Sequence, residues 1–455
     1  MRLPSVRAPF SKTLDAVAKA TGHRFTLEVE HAVGGELYAR KLRLANGLTV
    51  LMIHDPHAPV FAYQTWYGVG SRHERSGKTG IAHLFEHLMF KATETMPEGT
   101  LDRLMERRGA QTNAATWCDW TYYYQVLPAS RQNLELVARV EADRMRHLVL
   151  NEAQLESERD VVKNERRYRV DDDPDGRAGE ALYALALGRE HPYGWPTIGW
   201  MEDIEAITLA DCMAFYRTFY SPGNAVIVVV GSVADKHVLT SIARHYGHIA
   251  REELPSESAP PQPCIDGRPE ESLTLPIAAE RVLTAWVGPS LADPDAVALE
   301  VALEVLFGGE SGRIQRLLVN ELELCTQVGA SSTPFRYEGL IELSLSTKVG
   351  VRGEQAEAPA LAALAEFAAA GPSTQELEKA RNQVEAGYYR SLGTANALAS
   401  KLGVYEATLG DFREHDRLVR EVRDVTTESA RAVVERWMTR PGRATIRVRA
   451  SDVAA

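Results

Sequence analysis

The sequence predicts an α+β fold with two homologous halves, each a mainly antiparallel sheet packed against helices. Strand-like runs, such as residues 48–53 and 225–230, mix with long helical patterns, such as residues 133–148, and this mixture is typical of sheets covered by helices. The turn PGNA at 222–225, followed by VIVVVG, recurs at 441–444 as PGRA followed by TIRVRA. Each copy indicates a turn that feeds the last strand of its half.

Two further features support a duplicated chain with more than one domain. The strand-like runs AYQTWYGVGS (62–71) and LTAWVGPS (283–290) both end in Gly-containing turns and occur in the same order as the first repeat, which favours duplication over chance. Residues 251–269, REELPSESAPPQPCIDGRP, have the Pro-, Ser- and Glu-rich composition of an exposed linker. We therefore expect an N-terminal domain over 1–250 and a related C-terminal domain over 270–455.

Composition excludes several classes of protein. The net charge of -11 argues against a nucleic-acid-binding surface, and no apolar stretch is long enough for a membrane span. The four cysteines form no C-x-x-C pair, so neither a thiolate metal site nor a dense disulfide framework is indicated. The first 23 residues lack the uninterrupted apolar core of a secretory signal, so a cytoplasmic location is expected. The alternative is a transit-like segment, which the Arg and Ser residues of this start favour and Asp15 disfavours.

The motif that carries chemistry is H-x-x-E-H, formed by His83, Glu86 and His87 within the helical pattern GIAHLFEHLMF. Residues four apart share a helix face, so the two imidazoles can converge on one point with Glu86 beside them. A catalytic zinc site needs three protein ligands and an open position, so one further ligand must come from elsewhere. We expect Glu86 to act as the catalytic base. The alternative is a buried histidine pair satisfied by ordinary hydrogen bonds.

The chain that contains this motif resembles the inverzincin zinc peptidases of the pitrilysin and insulin-degrading enzyme group, which includes the mitochondrial processing peptidases. The resemblance covers nearly the whole chain. Its segments occur in the expected order: GVGSRHERSGKTGIAHLFEHLMFKAT, GAQTNAATWCDWTYYY, ESERDVVKNERR, HPYGWPTIG and SPGNAVIVVVG. It implies a zinc-dependent endopeptidase that holds one zinc ion per chain.

The resemblance also implies roles for two later glutamates. In that group the third zinc ligand is a Glu seven residues after another acidic residue, and here Glu158 is followed by Glu165. Glu165 would therefore complete the ligand set, and Glu158 would orient the site from behind the ligands. Taken alone, charges at helical spacing in ESERDVVKNERR would instead indicate a solvated helix face for Glu158.

Residues 109–126 resemble the strand on which that group binds its substrate, and Asn113, Ala114 and Ala115 occupy the matching positions. Strand addition at a sheet edge gets affinity from main-chain hydrogen bonds and suits loose sequence preference. The aromatic residues of the same segment are expected either to line pockets or to fill the core. Alternation along a strand favours the core for part of them. They are Trp117, Trp120, Tyr122, Tyr123 and Tyr124.

The second half departs from the pattern of self-sufficient members of that group. It contains a single histidine, His415, and no second metal motif. Where those members carry an Arg and a Tyr that contact the substrate, this chain has Val319 and Thr326. Because a lost oxyanion donor costs about 100- to 1000-fold in turnover, we expect a heterodimer with a zinc-free paralogue that supplies these groups.

The expected function is therefore that of a zinc endopeptidase subunit that cleaves unfolded peptides inside a chamber. An alternative is a non-catalytic scaffold subunit related to peptidases. The intact set His83, Glu86, His87 and Glu165 argues against it, because a scaffold does not require all four side chains. A zinc hydrolase that acts on something other than peptides is a third interpretation, which the substrate-strand resemblance disfavours.

Overall fold

The computed structural model of the protein describes residues 10–333 and 335–451. Residues 1–9, on which the expectation of no secretory signal rests in part, lie outside the described residues. The strands in chain order are β1 (Phe25–Gly34), β2 (Leu37–Leu44), β3 (Thr49–His54), β4 (Val60–Tyr67), β5 (Gln111–Thr116), β6 (Thr121–Pro128), β7 (Ala225–Gly231), β8 (Glu270–Leu275), β9 (Arg281–Gly288), β10 (Cys325–Ser332), β11 (Gly339–Thr347) and β12 (Ala444–Ala450).

Helices separate and cover these strands. They are α1 (Phe10–Thr21), α2 (Ile81–Leu88), α3 (Thr100–Glu106), α4 (Arg131–Arg146), α5 (Glu152–Arg166), α6 (Pro174–Leu187), α7 (Met201–Ala206), α8 (Leu209–Phe219), α9 (Asp235–Tyr246), α10 (Asp295–Phe307), α11 (Arg313–Gln315), α12 (Gly353–Ala370), α13 (Thr374–Arg390), α14 (Ala395–Leu409), α15 (Arg417–Glu421) and α16 (Thr427–Met438). Within residues 10–333 and 335–451, no helix combines the length and apolar character that crossing a bilayer requires.

The five strands of the second sheet repeat the arrangement of five strands of the first, which confirms the predicted α+β fold with two related halves. The first sheet has the order β1-β2-β3-β7-β4-β6-β5 and the second has the order β10-β11-β9-β12-β8. Strand β7 lies between the parallel strand β3 and the antiparallel strand β4. Strand β12 lies in the same way between the parallel β8 and the antiparallel β9. The repeated turn-and-strand sequences thus form equivalent strands, and all other strand pairs are antiparallel.

The described chain divides into two compact units that differ from the sequence halves 1–250 and 270–455. Within the described residues, unit 1 comprises the chain up to Asp160 together with Glu202–Glu257 and Ser391–His415, and unit 2 comprises Val161–Met201, Ser258–Arg390 and the chain from Asp416 onward. Helix α14, from the second half of the sequence, packs on β4 and β7 of unit 1. Helix α6, from the first half, packs on β9 and β12 of unit 2. Equivalent helices are therefore exchanged between the halves.

Unit 1 has a core on each face of its sheet. On one face, Trp66 of β4 packs with Leu398 and Leu402 of α14. On the other face, the fully buried Arg144 of α4 pairs with Glu141 at 2.6 Å. The Arg144 guanidinium also lies 4.7 Å from the centre of the Tyr123 ring, and this contact favours a buried cation. Arg144 also contacts the Met89 carbonyl at the end of helix α2, so this second core lies against that helix.

Candidate metal centre

Helix α2, which carries the H-x-x-E-H motif, is anchored at both ends. It begins after Gly80, whose φ of +88° is left-handed and favours glycine. The Glu74 carboxylate accepts hydrogen bonds from the backbone nitrogens of Gly80 and Ala82, each at 2.8 Å, and so satisfies donors that a helix start leaves unpaired. Burial raises the pKa of Glu74 to about 8. At the other end, Arg144 Nε donates to the Met89 carbonyl at 2.9 Å.

The structure brings together the three residues predicted to hold a metal. The His83 and His87 rings face each other edge to face, with 4.9 Å between their centres. Helix α5 passes these rings, and its last turn carries Glu165. One ligand atom from each of the three side chains lies within 4.8 Å of the others. Although the division between the compact units falls inside α5, that helix is continuous from Glu152 to Arg166.

The chemistry of this donor group fits zinc. Two imidazole nitrogens and one carboxylate oxygen form a ligand set that zinc adopts in catalytic sites, where a fourth position stays open. All three side chains are half-buried, so the site is reachable from solvent. Glu165 also lies 3.1 Å from the largely exposed Arg169, one helical turn later. Among the described residues, no other group of three or more His, Cys, Asp and Glu side chains brings its ligand atoms together in this way.

Glu158 lies directly behind one of the histidines. Its Oε2 is 3.3 Å from Nδ1 of His87, and its Oε1 is 2.7 Å from the Lys91 ammonium group. The hydrogen bond with His87 lowers the pKa of Glu158 despite its partial burial. A carboxylate on Nδ1 leaves Nε2 as the nitrogen that can face a metal. With 13% of its side chain exposed, Glu158 is not on a solvated helix face.

Glu86 lies beside the histidines and is turned toward strand β5. Its side chain is buried, and its Oε2 accepts a 2.5 Å hydrogen bond from Oγ1 of Thr116. Thr116 ends β5, which is the edge strand of the first sheet. The catalytic base predicted from the sequence is therefore in contact with the strand predicted to bind substrate.

Strand β5 presents the predicted substrate contacts Asn113, Ala114 and Ala115 at this sheet edge. Asn113 is exposed and the two alanines are half-buried, so the edge is accessible to an added strand. The neighbouring aromatic residues differ in burial. Tyr123 is fully buried, whereas Trp117 is 42% exposed at the end of the β5–β6 hairpin.

Val319 and Thr326 occupy the positions that the resemblance aligns with a substrate-contacting Arg and Tyr. Val319 lies in the π-helical turn Arg316–Glu321, and Thr326 lies on β10, where its hydroxyl donates to the Ser346 carbonyl at 3.3 Å. His415 is fully buried and belongs to unit 1. The positions aligned with the Arg and Tyr of self-sufficient enzymes therefore carry side chains that cannot stabilise an oxyanion in the same way.

Three residues that hold helix α2 or the side chains beside the centre were missed by reasoning from the sequence. They are Glu74, which caps α2, Lys91, which pairs with Glu158, and Thr116, which contacts Glu86. Neither periodicity nor motif spacing singles them out, because each acts across a loop or between separate elements. The only indication in the sequence for Thr116 was that it lies in the segment predicted to bind substrate.

The fold and the three candidate metal ligands together define a class of protein. Its members are duplicated α+β proteins with a candidate metal centre in one half of the sequence. Two family models match consecutive parts of the chain. Residues 49–199 match "Insulinase (Peptidase family M16)", and residues 206–384 match "Peptidase M16 inactive domain". The chain is 30% identical to the "Zinc protease PqqE" of Helicobacter pylori over 369 residues, which cover 80% of this chain and 82% of that protein. The chain therefore belongs to the M16 peptidase family.

Further relatives agree with this placement. The "Probable mitochondrial-processing peptidase subunit beta" of Schizosaccharomyces pombe is 28% identical over 384 residues, which cover 81% of each chain. A solved structure, "The crystal structure of a protease from Helicobacter pylori", superposes with a TM-score of 0.85 at 26% identity. The superposed residues cover 90% of this chain and 99% of that chain. These relatives confirm the family that the motifs suggested.

Proposed function

We propose that this chain is the zinc-bearing subunit of an endopeptidase that cleaves unfolded peptides. The observation that carries the proposal is the convergence of one ligand atom each from His83, His87 and Glu165 within 4.8 Å. Names of relatives such as "Zinc protease PqqE" support the choice of metal and reaction. In this proposal Glu86 is the catalytic base, and Glu158 orients His87.

Each residue has a defined part in the reaction. His83, His87 and Glu165 would hold the ion, and zinc bound there would acidify water and polarise a carbonyl group. The Glu86 carboxylate takes the proton of the attacking water and passes it to the departing amine nitrogen. Asn113, Ala114 and Ala115 hold the peptide in extended form along β5 through main-chain hydrogen bonds.

A partner chain is the second part of the proposal. Val319 and Thr326 offer no Arg or Tyr side chain to the oxyanion, and the lack of one such donor costs about 100- to 1000-fold in turnover. We therefore propose a heterodimer with a zinc-free paralogue that supplies these groups across an enclosed chamber. The word "subunit" in the name of the fission-yeast relative agrees with this expectation.

Zinc stoichiometry and peptide cleavage test the proposal together. We expect one zinc per wild-type chain, one zinc but no cleavage for Glu86→Gln, and no zinc for the isosteric Glu165→Gln. Cleavage of an unfolded peptide should rise at least about 100-fold when a zinc-free paralogue is added. If the wild-type chain binds no zinc, the peptidase proposal fails and the non-catalytic scaffold is favoured. Full activity of the chain alone would contradict the heterodimer and would leave the proposed peptidase activity intact.

A further inference from the structure

The contact between Thr116 and Glu86 joins the substrate strand to the catalytic base. The hydroxyl of Thr116 donates to Oε2 of Glu86 at 2.5 Å, and a charge-assisted hydrogen bond of this length is strong. An ionised carboxylate can only accept hydrogen bonds, so the single hydroxyl hydrogen of Thr116 is committed to Glu86. This bond fixes the rotation of the carboxylate and with it the direction in which Oε1 points.

A second threonine supports this arrangement across the hairpin. Thr116 pairs with the fully buried Thr121 in the β5–β6 register. The Thr121 hydroxyl donates to the Val69 carbonyl at 2.9 Å and lies 3.4 Å from Oγ1 of Thr116. This pair ties the end of β5 that meets Glu86 to strand β6 and, through Thr121, to the Val69 carbonyl.

The hairpin is also fastened to the loop that precedes helix α2. The backbone nitrogen of Ser71 donates to the Trp117 carbonyl at 3.1 Å, and Arg72 pairs with Asp119 at 2.6 Å, both side chains being buried. A Cβ atom at Gly70 would lie 2.0 Å from the Trp117 carbonyl oxygen, so this close approach requires glycine. The position of Thr116 relative to Glu86 is therefore fixed from two sides.

We propose that Thr116 is a positioning residue, whose hydroxyl orients the Glu86 carboxylate for proton transfer. The inference rests on the proposed peptidase function and deepens it. The hydroxyl affects the chemical step and leaves the affinity for zinc and for peptide unchanged.

Isosteric variants test the assignment. With the wild-type chain and its paralogue as reference, Thr116→Val should lower kcat about 10- to 100-fold, the loss typical of one hydrogen bond to a charged group, with KM within about twofold. Thr116→Ser keeps the hydroxyl and should restore most of the rate. Thr112→Val is the matched control, because Thr112 lies on the same strand four residues earlier and its hydroxyl has no hydrogen-bond partner among residues 10–333 and 335–451.

Three readouts besides activity keep the proposal falsifiable. Zinc content should stay at one per chain in Thr116→Val, and peptide affinity measured in the Glu86→Gln background should not change when Thr116→Val is added. In crystals of the metal-free chain, Glu86 should show one rotamer in the wild type and several in Thr116→Val.

Distinct results would overturn the assignment. Cleavage by Thr116→Val at the wild-type rate, or a single unchanged Glu86 rotamer in its crystals, removes the positioning role. An equal loss in Thr116→Val and Thr112→Val assigns the effect to the strand as a whole. A zinc-free wild type, or full activity of Glu86→Gln, sinks the proposed function instead, and the rotamers of Glu86 still decide the role of Thr116.

Discussion

The ammonium group of Lys91 lies 2.7 Å from Oε1 of Glu158, while the other oxygen of that carboxylate is 3.3 Å from Nδ1 of His87. Lys91 also lies 2.9 Å from Glu98. Lys91, which follows helix α2, thus holds Glu158 in place, and Glu158 in turn orients His87, a predicted zinc ligand. Groups behind metal ligands commonly affect metal affinity by about 10- to 100-fold.

We expect Lys91→Met to weaken zinc binding about tenfold, because Glu158 would lose the partner that holds it against His87. Competition with a chromogenic chelator measures this affinity. The matched control is Lys41→Met, which breaks a buried 2.5 Å pair with Glu406 elsewhere in unit 1. That control should lower stability without changing zinc affinity, and equal zinc affinity in both variants would contradict the role of Lys91.

Removal of the metal should lower thermal stability, because a ligand bound only by the folded chain stabilises it. The stabilisation is about 4 kcal/mol when free zinc is 1000 times its dissociation constant. Differential scanning calorimetry with and without a chelator measures the shift in Tm. Glu86→Gln should keep the zinc-dependent shift and Glu165→Gln should lose it. A shift that survives in Glu165→Gln would place the zinc elsewhere.

Gly403 tests the exchanged helix α14. A Cβ atom at Gly403 would lie 2.2 Å from Nε1 of the buried Trp66, whose ring is stacked 4.1 Å from Tyr122. Because that ring has no room to move, Gly403→Ala should destabilise the chain by about 1–3 kcal/mol in urea unfolding. Gly387→Ala, in a helix where the nearest atom to the new Cβ is 3.8 Å away, should be neutral or slightly stabilising. Similar values for both variants would refute the tight packing of α14.

The ion pair between Arg313 and Glu376 in unit 2 predicts a dependence of stability on pH. Hydrogen bonds from Arg313, at 2.7 Å to each carboxylate oxygen, lower the pKa of Glu376 to about 2. Since this pKa is depressed by folding, the contribution is present above about pH 4.5 and is lost as the pH falls toward 2. Partial exposure reduces it to about 1 kcal/mol.

Urea unfolding of Glu376→Gln and wild type from pH 7 to pH 3 measures this contribution. The variant should be less stable by about 1 kcal/mol at pH 7, and the difference should shrink as the pH approaches 3. Glu428→Gln is the control, because the Glu428 side chain is 73% exposed and its pairing with Arg431 is screened by water. A difference for Glu376→Gln that stays constant with pH would contradict the prediction.

The sequence by itself determined the features that depend on short-range periodicity. The i, i+4 spacing of His83 and His87 placed both rings on one helix face, and the repeated turn-and-strand segments became the equivalent strands β7 and β12. Such features follow from the fixed geometry of a helix turn and of a pleated strand. That Glu165 lies close to His87 could be predicted only from the family resemblance, because local spacing does not relate positions 78 residues apart in the sequence.

Only the tertiary structure decided what surrounds that motif. The pairing of β5 with β6 brings Thr116 to Glu86 across 30 positions of sequence, and the packing of α5 beside α2 brings Glu158 to His87 across 71. The exchange of α6 and α14 was equally hidden, because an apolar helix face fits either of two homologous sheets. The choice between such partners is made by side-chain packing and strand register, which depend on the whole fold and leave no periodic signal in the sequence.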